Sequence, residues 1–324
     1  LASFNWWILL PVIALTFVNY GTRFLKWHYL LRRLNIPMPW REDAWNFTAG
    51  LSMAISPGKA GELLKPYIVR EVTGVPMARS IPALVTERLT DIIAVLALLA
   101  LSLGPTAADI AAGQSEAVDG DQPSPFQFRI PGLGLDMGLE EMTLISAVLL
   151  FIGVVALSSK RVTGLALRMA ARLPIIGGMV PKLETLVSAM HTCLSPVSLL
   201  VTVLISMVAW GAECLGCMLV MQELGIPADL ALATFLYTFA TLFGGLAPGG
   251  LGMTDGALIK GTVLITGCAE GLSTASAFLC RVATLWIGVA LGALALIKVS
   301  NMLGGDLDIE TIPSPDDDSS EASI

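Results

Sequence analysis

The chain reads as an all-α, polytopic helical membrane protein with two broken or re-entrant helix pairs that form an inverted repeat. Three observations lead there. Of its 324 residues, 55% are hydrophobic and only 14% are charged, at a mean hydropathy of +0.75. Soluble domains carry about 25% charged residues, and long charged side chains supply most of a water-facing surface. Five apolar segments (4–20, 81–103, 142–157 with its flanks, 197–221 and 274–297) reach or approach the roughly 20 residues that a helical span requires. Two more apolar regions are interrupted: 44–69 at Ser56-Pro57-Gly58, and 231–268 at the run Gly244 to Gly252. This composition excludes an ordinary cytosolic enzyme, a nucleic-acid binder and a disordered chain.

Segment 4–20 lacks a small-residue cleavage site and reads as a span, not a signal peptide. It continues helically toward Arg23 and Lys26. Loop 21–42 carries Arg23, Lys26, Arg32, Arg33 and Arg41, and loop 158–195 carries Lys160, Arg161, Arg168, Arg172 and Lys182. Their excess of bases places both on the cytoplasmic side. Loop 105–141 has seven acids against the single base Arg129 and belongs outside. Walking the chain from these anchors puts Glu223 and Glu270 outside, and Lys298 and the tail from Asp306 inside, if each broken region enters and leaves on one side. The halves of the first region are about 12 residues each, too short to span, which favours hairpins. Non-helical backbone at membrane depth is tolerated only where protein or a wet cavity surrounds it, so each break points to a cavity.

Two units are therefore expected: a transmembrane domain over 1–304, containing the exterior acidic loop 105–141, and an acidic, disordered cytoplasmic tail over 305–324. Loop and tail together hold −13 of charge, so the net −7 of the chain conceals a basic membrane body of +6. Within 161–173, Val162, Leu165, Met169 and Leu173 share a helical face beside Arg161, Arg168 and Arg172. Such a stretch is either an interfacial helix on anionic headgroups or a plain cytoplasmic connector.

The two broken regions resemble each other. Pro57-Gly58-Lys59-Ala60-Gly61-Glu62 precedes a span containing Arg88, and Pro248-Gly249-Gly250-Leu251-Gly252-Met253-Thr254-Asp255 precedes a span containing Arg281. Glu62 to Arg88 and Asp255 to Arg281 are both 26 residues. By the charge topology the first unit enters from inside and the second from outside. Paired Gly/Pro-interrupted segments in two such halves point to a transport site near the midplane.

An ionised side chain at mid-membrane costs about 2.5–3.5 kcal/mol on insertion scales, so each needs a partner or water. The candidates are Glu62, Lys65, Glu87, Arg88, Asp91, Glu213, Asp255, Lys260 and Arg281. Glu87 and Asp91 are four residues apart and share a helical face, either as a working cluster or as an interfacial ion pair. Glu213 lies mid-span, with Arg281 as a candidate partner. Helix N-termini at the breaks, beside Lys59 and along Gly249, Gly250 and Gly252, suit a lipid phosphate; the alternative is close helix crossing. Pro57, Gly58, Gly61, Pro248, Gly249, Gly250 and Gly252 are the expected helix-breaking or hinge positions. The five cysteines lie in or beside apolar stretches, and Cys214-x-x-Cys217 reads as helix packing. With two distant histidines, no Walker motif and no Ser-His-Asp set, neither metal, cofactor nor direct use of ATP is expected.

The ordered series Arg23-x-x-Lys26-Trp27, Pro57-Gly58-x-x-Gly61-Glu62, Glu87-Arg88-x-x-Asp91, Pro248-Gly249-Gly250-Leu251-Gly252-x-x-Asp255 and Arg281 resembles the transmembrane region of the lysylphosphatidylglycerol synthase family. These are flippase-like integral membrane proteins that include the flippase domain of the multiple peptide resistance factor. The resemblance covers roughly 20 to 300. The family pattern has Arg where Lys26 stands and commonly Glu where Asp255 stands; both substitutions keep the charge. It implies a further span ahead of 4–20. The best-known members also carry a C-terminal aminoacyl-transferase domain, which the residues after the last span cannot house, so synthase activity is not expected.

What the resemblance implies is movement of a phospholipid or lipid-linked headgroup between leaflets through a groove between inverted halves. Glu62, Asp255, Arg88 and Arg281 would line the path, and Glu213 would act as a proton-linked switch. One alternative is an accessory or catalytic subunit in glycolipid or polyprenyl-linked glycan assembly, with Glu87 and Asp91 as its acid–base pair; a third reading is a membrane scaffold, whose intramembrane charges would form closed, dry ion pairs. The expected partners are membrane lipids with an anionic or phosphate headgroup and no nucleic acid. For protein partners the alternatives are a second copy, or a synthase or glycosyltransferase. The expected location is a bacterial or archaeal cytoplasmic membrane.

Overall fold

The computed structural model describes residues 4–55, 62–115, 127–129, 136–138, 148, 159–170, 180–245 and 250–303. Its order is a 3-10 turn Trp6–Ile8, α1 (Leu9–Arg33), α2 (Trp40–Ser52), α3 (Leu64–Thr73), α4 (Met77–Ser115), β1 (Gln127–Arg129), β2 (Asp136–Gly138), α5 (Lys160–Ala170), α6 (Val180–Cys193), α7 (Pro196–Glu223), α8 (Leu230–Gly244), α9 (Met253–Thr266), α10 (Glu270–Arg281) and α11 (Ile287–Met302). A π-helical stretch, Val282–Trp286, joins α10 to α11. The fold is helical as the apolar periodicity predicts. Among the described residues there is also a three-residue antiparallel strand pair inside the acidic loop, with Gln127 opposite Gly138 and Arg129 opposite Asp136.

Three helices among the described residues are long and apolar enough to cross a bilayer: Trp6–Arg33, Pro196–Glu223 and Glu270–Met302. On α7, Val197, Leu200, Leu204 and Val208 are each more than half exposed. They recur at three- and four-residue spacing and form one apolar face. A large exposed apolar stripe on a long helix is a surface for lipid tails. The expected span 81–103 lies inside the 39-residue α4, whereas 142–157 falls outside the described residues apart from Val148. One expectation is corrected. Residues 21–33 are not loop, because α1 runs unbroken to Arg33, and Lys26 is completely buried. Arg23 and Lys26 therefore say nothing about which loop faces the cytoplasm.

Each broken region is a pair of short helices packed on each other, α2 on α3 and α8 on α9. Their lengths of 13, 10, 15 and 14 residues correspond to about 15–22 Å at 1.5 Å per residue, short of a hydrocarbon core of about 30 Å. The hairpin reading therefore fits. Gly292 lets α11 lie directly on α2, since a Cβ there would run into the backbone of Leu51 and Ser52.

The internal repeat extends beyond the charge spacing, into the capping turns. α1 ends with Asn35 at positive φ, Asn35 N–H donating to Arg32 C=O and Ile36 N–H to Leu31 C=O. α7 ends with Gly225 at positive φ, Gly225 N–H donating to Gln222 C=O and Ile226 N–H to Met221 C=O. Both are Schellman turns, closed by a buried isoleucine and followed by proline (Pro37, Pro227). They lie 190 residues apart, as do the starts of α2 and α8. α3 and α9 both end on a left-handed glycine, Gly74 and Gly267. Ahead of each glycine a threonine hydroxyl bonds back four residues, Thr73 to Val69 and Thr266 to Thr262, and accepts the N–H two residues on. These turns lie 193 residues apart, as do the starts of α4 and α10.

By its internal packing the chain divides into two units. One comprises Leu1–Tyr20, Asp91–Ile152 and Met207–Thr284, and the other Gly21–Thr90, Gly153–Ser206 and Leu285–Ile324. The core of the first centres on Cys214, Cys217, Phe235, Leu236, Leu258 and Cys280. That of the second centres on Trp27, Leu31, Phe47, Ile68, Leu84 and Val299. Cys214 and Cys217 are buried free thiols in an apolar core, as the packing reading predicts. In the second unit, Thr163 of α5 is buried against His191 of α6 at 3.0 Å, while Val162 and Leu165 face outward beside Arg161. Met169 and Leu173 of that face, with Arg168 and Arg172, lie outside the described side chains.

Candidate functional site

The second unit holds a buried polar cluster built around Glu87. α4 carries Glu87 and Arg88, α3 carries Lys65, and α1 carries Arg23 and Lys26. Lys65 Nζ donates to Glu87 Oε2 at 2.5 Å, Arg88 Nη2 donates to Oε1 at 3.4 Å, and Arg23 Nη2 lies 3.8 Å from Oε1. Lys26 Nζ donates to the Glu87 carbonyl at 3.2 Å and to Ser206 Oγ at 2.7 Å. Glu87 and Lys26 have no exposed surface, and Lys65 has almost none. A buried carboxylate is tolerated only when it is paired and hydrogen-bonded, and here three cationic side chains converge on one carboxylate.

The cluster extends in two directions. Lys65 Nζ also lies over the Trp27 ring, 4.3 Å from its centroid, a cation–π contact strengthened by burial. Trp27 Nε1 donates to Asp43 Oδ1 at 2.9 Å, and His28 Nδ1 lies 2.6 Å from Asp43 Oδ2. Gly50 makes room for the lysine, because a Cβ there would come within 2.8 Å of Lys65 Cγ. On the other side, Arg88 Nε pairs with Glu62 Oε2 at 2.9 Å. Glu62 stands just ahead of α3, so this pair ties the end of the broken segment to α4. The side chain of Arg88 is one-third exposed (34%), against 0% for Glu87.

The first unit holds the counterpart pair. Arg281 Nε lies 2.8 Å from Asp255 Oδ1, and Asp255 Oδ2 accepts the Gly252 N–H at 3.0 Å. Asp255 thereby closes the first turn of α9, where a carboxylate also meets the positive end of the helix dipole. Gly250 and Gly252 both have positive φ. A Cβ on Gly250 would press on Thr254 and the Arg281 guanidinium, so glycine is required for the break to approach the arginine. Glu213 of α7 accepts the Tyr237 hydroxyl at 2.7 Å. Tyr20 donates its hydroxyl to the Thr284 carbonyl at 2.5 Å, within the π-helical stretch that follows Arg281.

The equal spacings of Glu62–Arg88 and Asp255–Arg281, which in the sequence mark the repeat, join two direct ion pairs, and Arg281, the candidate partner for Glu213, is paired with Asp255. Glu87 stands in the same cluster as Glu62 and Arg88, and Asp91 is buried one turn along α4. Glu213 has a neutral donor in Tyr237. Gly250 and Gly252 shape the second break, whereas Pro57, Gly58, Lys59, Gly61, Pro248 and Gly249 lie outside the described residues. Lys260 forms an exposed pair with Glu270 at 2.7 Å. Arg23, Lys26, His28 and Asp43 were not singled out as site residues. The available signal was the three-residue spacing of Arg23 and Lys26 on a helix that does not stop at Tyr20.

No curated protein and no solved structure matches this chain. A family model does match, over residues 1–292, and it is described as the lysylphosphatidylglycerol synthase TM region. That span takes in both hairpins, both arginine–carboxylate pairs and the Glu87 cluster, as the ordered motifs led one to expect. The chain belongs to the lysylphosphatidylglycerol synthase transmembrane-region family, and it is a multi-pass membrane protein.

Proposed function

We propose that this protein moves a phospholipid or a lipid-linked headgroup between the leaflets of a bacterial or archaeal cytoplasmic membrane. One observation carries the reading: just after the break in each hairpin stands a carboxylate held by an arginine of the helix that follows the hairpin, and both pairs are part-exposed. Arg88 and Glu62 are 34% and 14% exposed, and Arg281 and Asp255 13% and 29%. A part-exposed pair at a helix break stays open to exchange as a headgroup passes, and Arg88, the more exposed of the two arginines, offers its guanidinium to the phosphate. The acyl chains stay in lipid while the headgroup passes along the breaks. Membership of a family with a lipid-related membrane part supports the same reading.

The test is reconstitution of the purified chain in liposomes, following leaflet exchange of labelled lipids. Exchange should exceed that of protein-free liposomes for at least one phosphate-bearing lipid. Glu62→Gln, Asp255→Asn and Arg281→Ala should each slow it without loss of folded protein. Exchange equal to that of empty liposomes across several headgroups would reject the reading for those lipids.

A further inference from the structure

We infer that the two halves have divided the work: the first half alone holds the phosphate site, and the second retains only the latch that closes its hairpin. This rests on the translocation reading above and assigns residues within it. The matched capping turns fix the correspondence, 190 residues apart through α1/α7 and α2/α8, and 193 apart through α3/α9 and α4/α10. In this register Glu62–Arg88 falls on Asp255–Arg281, with the same Nε-to-carboxylate geometry in both. A pair present in both halves, whose Asp255 is also engaged in capping α9, belongs to the hairpin itself.

The rest of the cationic cluster is not repeated. Arg23 falls on Glu213, a buried carboxyl that accepts from Tyr237, so the sign is reversed there, and Lys26, Trp27, Asp43, Lys65 and Glu87 correspond to Gly216, Cys217, Ala233, Leu258 and Cys280. The last four are buried in the apolar core of the first unit. One fold therefore fills these positions with small apolar residues in one copy and with a buried ionic network in the other. Apolar side chains of similar volume usually stabilise such sites as well as, or better than, buried ion pairs. Folding thus does not require the network, and its presence in one half only marks it as a ligand site.

The ligand chemistry follows from the donors. Lys65, Arg88 and Arg23 all face the single buried carboxylate of Glu87, and Lys26 donates to its backbone carbonyl. Guanidinium and ammonium groups gathered on one anionic group match a phosphate, which offers several charged acceptor oxygens and accepts forked hydrogen bonds from arginine. Arg88 bridges Glu62 and Glu87 and is the most exposed of these, so an incoming phosphate meets it first and takes over donors now held by the carboxylates.

Thermal unfolding of the full chain in neutral detergent tests this, with short-chain phosphatidic acid, inorganic phosphate and short-chain diacylglycerol as probes. Wild type should be stabilised by phosphatidic acid and not by diacylglycerol. A shift with inorganic phosphate as well would show that the free group suffices, and its absence that the phosphate must be lipid-borne; both support the site. No shift with either phosphate probe would overturn it. Lys65→Leu/Glu87→Gln, which follows the neutral solution of the second half, should bind phosphatidic acid about tenfold more weakly or worse. Arg281→Met/Asp255→Asn should slow leaflet exchange, since it removes the hairpin latch, yet keep its phosphatidic-acid affinity within about threefold. Wild-type affinity in the first double variant, or an equal loss in the second, would refute the division.

Hydrogen exchange on the wild-type protein needs no variant. Phosphatidic acid should slow exchange in 62–90 and leave 253–281 unchanged; the reverse pattern would refute the assignment. Phosphate binding without leaflet exchange would remove the translocation reading and leave the site standing.

Discussion

Lys65→Leu is the most informative single substitution. Lys65 supplies the shortest contact to Glu87, 2.5 Å to Oε2, and Glu87 has no exposed surface. The variant removes that donor and keeps the charge of Glu87 buried. Breaking a buried pair from one side costs about 3–5 kcal/mol. Arg88 at 3.4 Å and Arg23 at 3.8 Å still face the other oxygen, which places the expected loss near the lower bound, about 3 kcal/mol. Adding Glu87→Gln removes the stranded charge, so the double variant should return to within about 1 kcal/mol of wild type. Equilibrium unfolding in mixed micelles, run as a double-mutant cycle, reads both numbers. A single variant that loses under about 1 kcal/mol, or a double variant no better than the single, would refute the reasoning that Glu87 depends on Lys65 for its charge.

Further outcomes follow from the packing. Gly292→Leu should cost about 1–3 kcal/mol or prevent folding, because its side chain would meet the backbone of Leu51 and Ser52; a monodisperse variant of wild-type stability would contradict the α2–α11 contact. Gly252→Ala forces a Cβ at φ +78 and ψ −51 and should lose about 1–3 kcal/mol in thermal or chemical unfolding. Val208→Lys places a charge on the exposed apolar face midway along α7; a glycosylation-mapped insertion assay should show a penalty of about 2.5–3.5 kcal/mol if that face meets lipid near the bilayer centre. Tyr237→Phe leaves the buried Glu213 carboxylate short of one donor and should destabilise by about 1–3 kcal/mol. Adding Glu213→Gln should recover part of that loss, and no recovery would remove the pair from the account.

Much of this arrangement was legible in the amino-acid sequence, and what escaped did so for identifiable reasons. Apolar length located the long helices and Pro–Gly runs located the breaks, because both act through local backbone constraints. The equal spacing of Glu62–Arg88 and Asp255–Arg281 marked the repeat, and the residues it singled out are the partners of two ion pairs, since each pair is set by the same hairpin and helix lengths. Arg23 and Lys26 were misplaced because counting bases as loop markers assumes that α1 ends where its apolar run ends. Instead α1 continues to Arg33, buries Lys26 and turns Arg23 toward Glu87. The convergence of Lys65, Trp27 and Asp43 depends on three helices meeting, and no spacing within one helix encodes it. The Schellman turns were visible as Leu34-Asn35-Ile36-Pro37 and Leu224-Gly225-Ile226-Pro227, a match more specific than the Ala and Leu coincidences in the spans. It was hidden by the three-residue change of register between the turns.

The most direct test compares leaflet exchange of a labelled phosphate-bearing lipid in three preparations: wild-type proteoliposomes, Lys65→Leu/Glu87→Gln proteoliposomes with equal folded protein, and protein-free vesicles. The account predicts acceleration by wild type and a double variant that falls to the protein-free rate. Equal acceleration by both proteins would contradict the assignment of the phosphate site, and no acceleration by wild type would contradict translocation of that lipid.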